Sequence, residues 1–270
     1  MNNPTKGKVV IITGASSGIG AAVARRLARE GMRLTLAARR LDRLEQVAAE
    51  VEALGGEALI VQTDVRNHDE LERMVQAPLG KWGRIDVLLN NAGLGNDRLL
   101  IRSGSERIRD EVHINLIAVI ECAQLVLPVM LRQKSGHIIN VASIAGLVAM
   151  PGSTIYSASK FGVNGFSDAL RRELRGSGIS VSAFCPGFTP SEISPSLKAI
   201  AEGQPGAPRP PGLMPVSYVA DQITRLILHP RRRVIIPPSW KFLVFVASLF
   251  PGFADFLIPF FISKKEKGGQ

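Results

Sequence analysis

Val9-Val10-Ile11-Ile12-Thr13-Gly14-Ala15-Ser16-Ser17-Gly18-Ile19-Gly20 is a β-branched run that stops at a glycine-rich turn. Such a run reads as a buried strand. Residues 19–30 then show helical periodicity, with Val23 and Leu27 on one face and Gly31 closing the helix. A strand, a glycine-rich turn and a helix in that order form a cradle for phosphate. Glycine lets the backbone approach a pyrophosphate, and the helix start offers free N–H groups and a positive dipole end.

Outward from this unit the alternation continues. Strands are predicted over 34–38, 58–62, 85–89, 136–142 and 181–184, with helices over 41–54, 68–82, 105–133 and 154–175 between them. Alternating strands and helices imply a parallel sheet with right-handed crossovers and helices on both faces. The expected fold is therefore α/β, a Rossmann-like doubly wound sheet forming a single domain over residues 1–238, with its ligand beyond the carboxyl ends of the strands. Residues 189–215 break the rhythm with seven prolines and a short helix around Ile200. Because this stretch follows a strand on the ligand side, it reads as a substrate-covering lid.

The chain of 270 residues is 46% hydrophobic, which places it among globular rather than disordered proteins. Its net charge of +10 is spread along the chain. Without zinc-finger spacing or an aromatic-basic RNA motif, the charge is not read as a nucleic-acid footprint. Cys122 and Cys185 each sit in apolar runs. They read as buried small hydrophobes in a reducing cytoplasmic setting, and the N-terminus lacks the apolar core of a signal peptide. His68, His113, His137 and His229 are scattered and show no metal-ligand spacing, so no metal is expected.

Tyr156-Ser157-Ala158-Ser159-Lys160 opens a helix. Side chains four apart share a face, so the phenol and the ammonium point into one space. An ordinary Tyr titrates at about 10 and is a poor acid at neutral pH. A nearby ammonium favours the phenolate, which lets the pair pass a proton to an alkoxide or take one from an alcohol. Ser143 ends the strand before it, thirteen residues upstream, where its hydroxyl can stabilise charge on a substrate oxygen.

Thr13-Gly14-x-x-x-Gly18-x-Gly20, Asn90-Asn91-Ala92-Gly93, Ser143 and Tyr156-x-x-x-Lys160 together resemble the short-chain dehydrogenase/reductase family, from Thr13 to about Thr189. The resemblance implies an oxidoreductase, such as a carbonyl reductase, that moves a hydride between a nicotinamide dinucleotide and a carbonyl or alcohol. It implies catalytic roles for Asn115, Ser143, Tyr156 and Lys160, with Asn115 supporting a proton-relaying water and Lys160 also binding the nicotinamide ribose. It implies cofactor contacts from Gly14, Ser16, Ser17, Gly18, Ile19 and Gly20, from Asp64 and Val65 at the adenine, and from Asn91, Ala92 and Gly93. At the nicotinamide end it implies contacts from Pro186, Gly187 and Thr189. Family members pack as homodimers or homotetramers through the two long helices, here 105–133 and 154–175.

The end of the second strand selects the cofactor. Enzymes selective for NAD usually carry an acidic residue about twenty positions after the glycines. Here Ala38-Arg39-Arg40 stands in that place. Guanidinium groups suit a 2′-phosphate, so NADP(H) is expected, carried by Arg39 with Arg40 assisting. The alternative, from a different functional class, is a non-catalytic NADP(H)-binding sensor or scaffold at a membrane surface.

The family often ends with a strand and a glycine-rich tail, and this chain is read as departing from that pattern. Residues 240–262 are strongly apolar but are interrupted by Pro251-Gly252, Asp255 and Pro259, with Arg231-Arg232-Arg233 and Lys264-Lys265-Glu266-Lys267 as basic flanks. For this extension, 239–270, three readings stand open: interfacial helices on the inner face of a membrane, a soluble cap or dimer contact, or a span. Together with Leu147, Val148, Ala149 and Met150 before the tyrosine, the tail favours a hydrophobic substrate such as a ketosteroid, a long-chain keto-lipid or a retinoid-like aldehyde.

Overall fold

Val9–Thr13 forms β1, and all five of its residues are buried. A strand covered on both faces has no reason to alternate polar and apolar residues, which is why it reads as a continuous run. The computed structural model describes residues 5–95, 98–193, 195–204, 206, 207, 210 and 212–262, apart from the side chains of 195 and 257–262.

After β1 come α1 (Gly18–Ala28), β2 (Arg33–Ala38), α2 (Leu41–Ala53), β3 (Glu57–Gln62), α3 (His68–Trp82) and β4 (Val87–Asn90). The second half holds α4 (Ser105–Val112), α5 (Ala118–Gln133), β5 (Gly136–Val141), α6 (Thr154–Glu173) and β6 (Ile179–Pro186). It ends with α7 (Pro195–Ala201), α8 (Val216–Leu228), β7 (Arg233–Ile236), α9 (Trp240–Leu249) and α10 (Pro251–Ile262). The seven strands pair in parallel in the order β3-β2-β1-β4-β5-β6-β7.

One core lies between the sheet and α1, α2 and α8, built on Val23, Leu27, Leu44, Val51, Ile223 and Ile227. The other lies under α3, α5 and α6, around Leu71, Met74, Val126, Met130 and Leu170. Strand order reverses between β1 and β4, so Thr13 and Asn90 end side by side at the crevice where such sheets take ligands.

Three features differ from the sequence reading. The helix expected over 105–133 is interrupted by a π-helical turn, His113–Ile117, with Asn115 inside it. A π-turn widens the helix by one residue and re-aims a side chain, something apolar periodicity does not reveal. Second, the chain does have a closing strand: β7 pairs with β6 from Ala183↔Arg233 to Pro186↔Ile236. Its apolar part is only Val234-Ile235-Ile236 between arginines and Pro237, too short to show as a strand pattern. Arg232 and Arg233 of the basic cluster both pair with Asp168 of α6, at 2.8 and 3.1 Å, which ties down this edge strand. Third, α8 follows the proline-rich stretch unannounced and carries the apolar face Val219, Ile223 and Ile227. The Lys264–Lys267 cluster lies outside the described residues.

Cys122 and Cys185 are buried, and burial pushes both thiols up to about 12. His137 is buried against the Ser182 hydroxyl at 2.8 Å and is pushed down to about 4 by desolvation.

Candidate active site

The turn after β1 is built for close approach. Gly14 and Gly18 take positive φ, +67° and +54°. A Cβ on Gly20 would stand 2.3 Å from the Gly14 carbonyl oxygen and 2.7 Å from Asn91 Nδ2, so the helix can start this near the turn only with glycine there. Ser17, at the N-cap of α1, makes no capping bond with its side chain. The first-turn N–H groups therefore stay open to an anion.

Strand β4 is lashed to this turn. The Thr13 hydroxyl accepts from the backbone N–H groups of Asn91 and Ala92, both at 3.0 Å, and Asn91 Nδ2 donates to the Thr13 and Gly14 carbonyls at 2.9 and 3.2 Å. Asn90 runs the other way. It donates to Asn140 Oδ1 at 2.9 Å, and Asn140 in turn donates to Ser167, linking the switch point to β5 and α6.

One cleft runs along these strand ends. It is lined by the turn residues Gly14, Ser16, Ser17, Gly18 and Ile19, by Arg39, Arg40, Asp64 and Val65, and by Asn91, Ala92 and Gly93. Ser143, Tyr156, Lys160, Pro186, Gly187 and Thr189 line it further along. Gly20 and Asn115 are absent from its wall. Gly20 acts from behind, through the contact with Gly14. Asn115 is fully buried, with its carboxamide bound to Leu94 on both sides: it accepts from the backbone N–H at 2.8 Å and donates to the carbonyl at 2.7 Å. It also donates to the Ser159 hydroxyl at 3.2 Å, and Ser159 donates to the Tyr156 carbonyl at 2.8 Å. Ser159 was not singled out in the sequence. The only hint is its place three residues after the tyrosine, where a hydroxyl can fold back on the previous turn.

Lys160 is buried, and its ammonium donates to the Val141 carbonyl at 2.9 Å. Desolvation pushes it down to about 8. Its nitrogen stands 5.7 Å from the centre of the Tyr156 ring, so α6 presents charge and phenol together as helical spacing requires. Ser143 lies two residues beyond β5 and caps the short turn after it, its hydroxyl accepting from the Ala145 N–H at 3.1 Å, which leaves its proton free to donate elsewhere. The Thr189 hydroxyl, on the same cleft, is buried and has no hydrogen-bond partner among the described residues. An orphaned hydroxyl in a cleft suits a polar ligand atom.

The two arginines after β2 behave differently. Arg39 is exposed, and its backbone carbonyl accepts from Gln62. Arg40 reaches back to the phosphate turn and donates to the hydroxyls of Ser16 and Ser17 at 3.2 and 2.9 Å. It also pairs with Glu192, at 2.7 Å. The Asp64 carboxylate is held by Arg66 at 2.7 Å, which keeps it below the usual carboxylate range.

The far wall comes from the C-terminal extension. Trp240, Leu243, Val246, Ala247 and Phe253 line the same cleft as Tyr156. The Trp240 ring packs edge-on against Phe188, with centres 5.9 Å apart, and lies on Gly212. Of the apolar residues before the tyrosine, Val148 and Met150 reach the cleft; Leu147 packs inward and Ala149 is exposed.

The glycine cradle, the uncapped helix and the orphaned Thr189 hydroxyl fit a dinucleotide with its phosphates on the first turn and its far end near Tyr156. Comparisons with known proteins agree. Residues 8–201 match the family model described as short chain dehydrogenase. The chain is 42% identical to a 3-oxoacyl-[acyl-carrier-protein] reductase of Synechocystis over 193 residues, 71% of this chain and 78% of that protein. It is similar to a solved short-chain dehydrogenase/reductase from Burkholderia phymatum in complex with NAD, with 30% identity and a TM-score of 0.83 over 94% of this chain and 96% of that one. It is also similar to an actinorhodin polyketide ketoreductase solved with NADPH, with 32% identity and a TM-score of 0.77 over 85% and 95%.

Proposed function

This chain belongs to the short-chain dehydrogenase/reductase family, and from that premise we propose that it is an NADP(H)-dependent ketoreductase acting on a hydrophobic carbonyl. It is an oxidoreductase with a nicotinamide-dinucleotide site. Within the hydrophobic substrates open to it, the relatives named for 3-oxoacyl reduction favour a 3-oxoacyl-type chain. The apolar wall of Leu243, Val246 and Phe253 supports the same choice.

The observation that carries the reading is the buried Lys160 ammonium, 5.7 Å from the Tyr156 ring at the end of the cleft. When bound, the dinucleotide supplies or accepts the hydride. Tyr156 gives its proton to the oxygen that the reduction leaves charged. Lys160 stabilises the phenolate that remains, an effect strengthened by the burial of the ammonium. Ser143 donates to the same substrate oxygen. Asn115 holds Leu94 and, through Ser159, the first turn of α6, so it keeps the wall and the phenol in register. Thr189 and Gly187 would hold the nicotinamide end, and Arg40 with Arg39 would hold the adenosine 2′-phosphate. Residues 189–215 serve as the lid.

The tail's outer face supports peripheral contact with a membrane surface. Phe242 and Phe245 are 74% and 60% exposed. Ile117, Ile120 and Phe161, exposed on the two long helices, support a homodimer. Fractionation of cells tests the first of these and sedimentation of the purified chain the second.

Changing Tyr156 to Phe tests the central reading. Turnover of a 3-oxoacyl thioester with NADPH should fall by about a thousandfold, within the range of a lost general acid. NADPH affinity should hold, and the wild type should favour NADPH over NADH in kcat/KM. Substantial activity in the variant would remove the phenol from the mechanism, and a preference for NADH would remove the cofactor assignment.

A further inference from the structure

Three consecutive residues of the 189–215 segment are clipped across the mouth of the dinucleotide cleft. Ser191 Cβ lies 3.3 Å from where a Cβ on Gly18 would stand, over the phosphate turn. Glu192 pairs with Arg40 at 2.7 Å and with Arg43 at 3.7 Å, and it hydrogen-bonds the Ser17 hydroxyl. The Ile193 carbonyl accepts from the Gly95 N–H at 2.8 Å, while its side chain reaches to 3.6 Å from a Cβ position on Gly93. That same position is 3.7 Å from Lys160 Nζ and 3.4 Å from Asn115 Oδ1. The segment therefore bridges the arginines after β2 and the groups around Lys160.

The middle clip is ionic and the outer two are not. A guanidinium with two serine hydroxyls beside it is a ready anion site. In this structure the anion on it is the protein's own carboxylate. Glu192 is one-third exposed, and the Arg40 guanidinium holds it below the usual carboxylate range, so it is fully ionised at neutral pH.

We propose that Glu192 is a specificity-determining residue, an internal anion that occupies Arg40 and must give way when an adenosine 2′-phosphate arrives. The inference rests on the reading of Arg40 as a 2′-phosphate ligand. Two anions on one guanidinium repel each other, so a nucleotide bearing the 2′-phosphate displaces Glu192 and releases the segment's middle clip. A nucleotide with a free 2′-hydroxyl brings no competing charge. It leaves Glu192 in place and can donate to it. Glu192 thus works against the preference that Arg40 creates and couples the 2′-phosphate to the position of the segment over the cleft.

The experiment is calorimetric binding of 2′,5′-ADP and of 5′-ADP to the full chain, for wild type, Glu192→Gln and Glu192→Asp. Glu192→Gln keeps the shape and removes the charge. It should tighten 2′,5′-ADP about two- to fivefold, the span expected for a partly exposed ion pair, and leave 5′-ADP unchanged or weaker. Glu192→Asp keeps the charge and should keep the wild-type ratio of the two affinities, which separates competition from a change of fold. Unchanged or weaker 2′,5′-ADP binding by Glu192→Gln, in a protein whose wild type prefers that ligand, overturns the role of Glu192 alone. Equal tightening of both ligands also overturns it, because the segment would then be a neutral obstruction. A wild type that prefers 5′-ADP overturns the reading of Arg40 and this inference with it.

Discussion

The two ends of the cleft are held together by different physics. Around β1, β2 and β4 the wall is a set of directional hydrogen bonds and close backbone contacts: Thr13 to Asn91 and Ala92, Asn91 to Gly14, Gly20 against Gly14. Across the cleft, residues 191–193 and the helices α9 and α10 close it with apolar area and a few clips, such as Trp240 on Phe188 and Ile193 to Gly95. Directional contacts tolerate almost no change of residue, whereas apolar area tolerates many residues of similar volume. The first end can therefore fix one cofactor geometry, and the apolar wall of α9 in the second can be reshaped for a substrate without disturbing it.

The sharpest way to break that contrast is at Gly20. A single added methyl, Gly20→Ala, must displace the Gly14 carbonyl or Asn91. Overpacking of this kind costs about 1–3 kcal/mol, here at the turn that receives the phosphates. Dinucleotide affinity should fall about ten- to a hundredfold by the same principle, as read by titration calorimetry. Gly80→Ala, inside α3 where a Cβ meets nothing within 4 Å, should leave affinity unaltered and raise the melting temperature. Equal behaviour of the two variants would mean that the turn is not sterically fixed.

The second prediction concerns the group shared by both ends. Burial brings Lys160 from an ordinary 10.5 down to about 8, because the charged form is the one deprived of water. Reduction needs the ammonium. As pH rises through about 8 the free enzyme loses it, and kcat/KM for reduction should drop about tenfold for each further unit. Below that pH the ammonium is fully present, so this group imposes no loss there. A pH–rate profile flat to well above pH 9 would show that the charge on Lys160 is not required.

What the sequence disclosed follows the same division. Gly14, Gly18 and Gly20, and the Tyr156–Lys160 pair, were legible because backbone sterics and helical geometry demand those residue types at those spacings. The alternation of strands and helices was legible because burial on both sheet faces writes continuous apolar runs. Contacts between distant segments left no local pattern. No spacing connects Arg40 with Glu192, and the sequence reading gave the leading part to Arg39, whereas it is Arg40 that reaches the serine hydroxyls and Glu192. The π-turn at Asn115 changes a hydrogen-bond register inside a helix that still looks continuous in its apolar pattern. β7 escaped because an edge strand that opens with an arginine and stops before two prolines is shorter than the periodicity that would reveal it. For the tail, composition left three readings open; in the folded chain its inner residues form part of the cleft wall while its outer phenylalanines face away.

The smallest expected effect tests that wall. Trp240 joins α9 to the base of the 189–215 segment through Phe188 and Gly212, so Trp240→Ala should loosen α9 from the cleft without touching the phosphate turn. An aromatic pair of this geometry contributes about 0.5–1.5 kcal/mol, which corresponds to about a two- to tenfold change. That change should appear as a raised KM for a long-chain 3-oxoacyl substrate, with kcat and NADPH affinity close to wild type. A short-chain ketone that never reaches Leu243 or Val246 should be reduced with its KM unaltered. A parallel loss for both substrates, or any loss of NADPH binding, would mean that the two ends of the cleft are not independent and that α9 supports the nucleotide site as well.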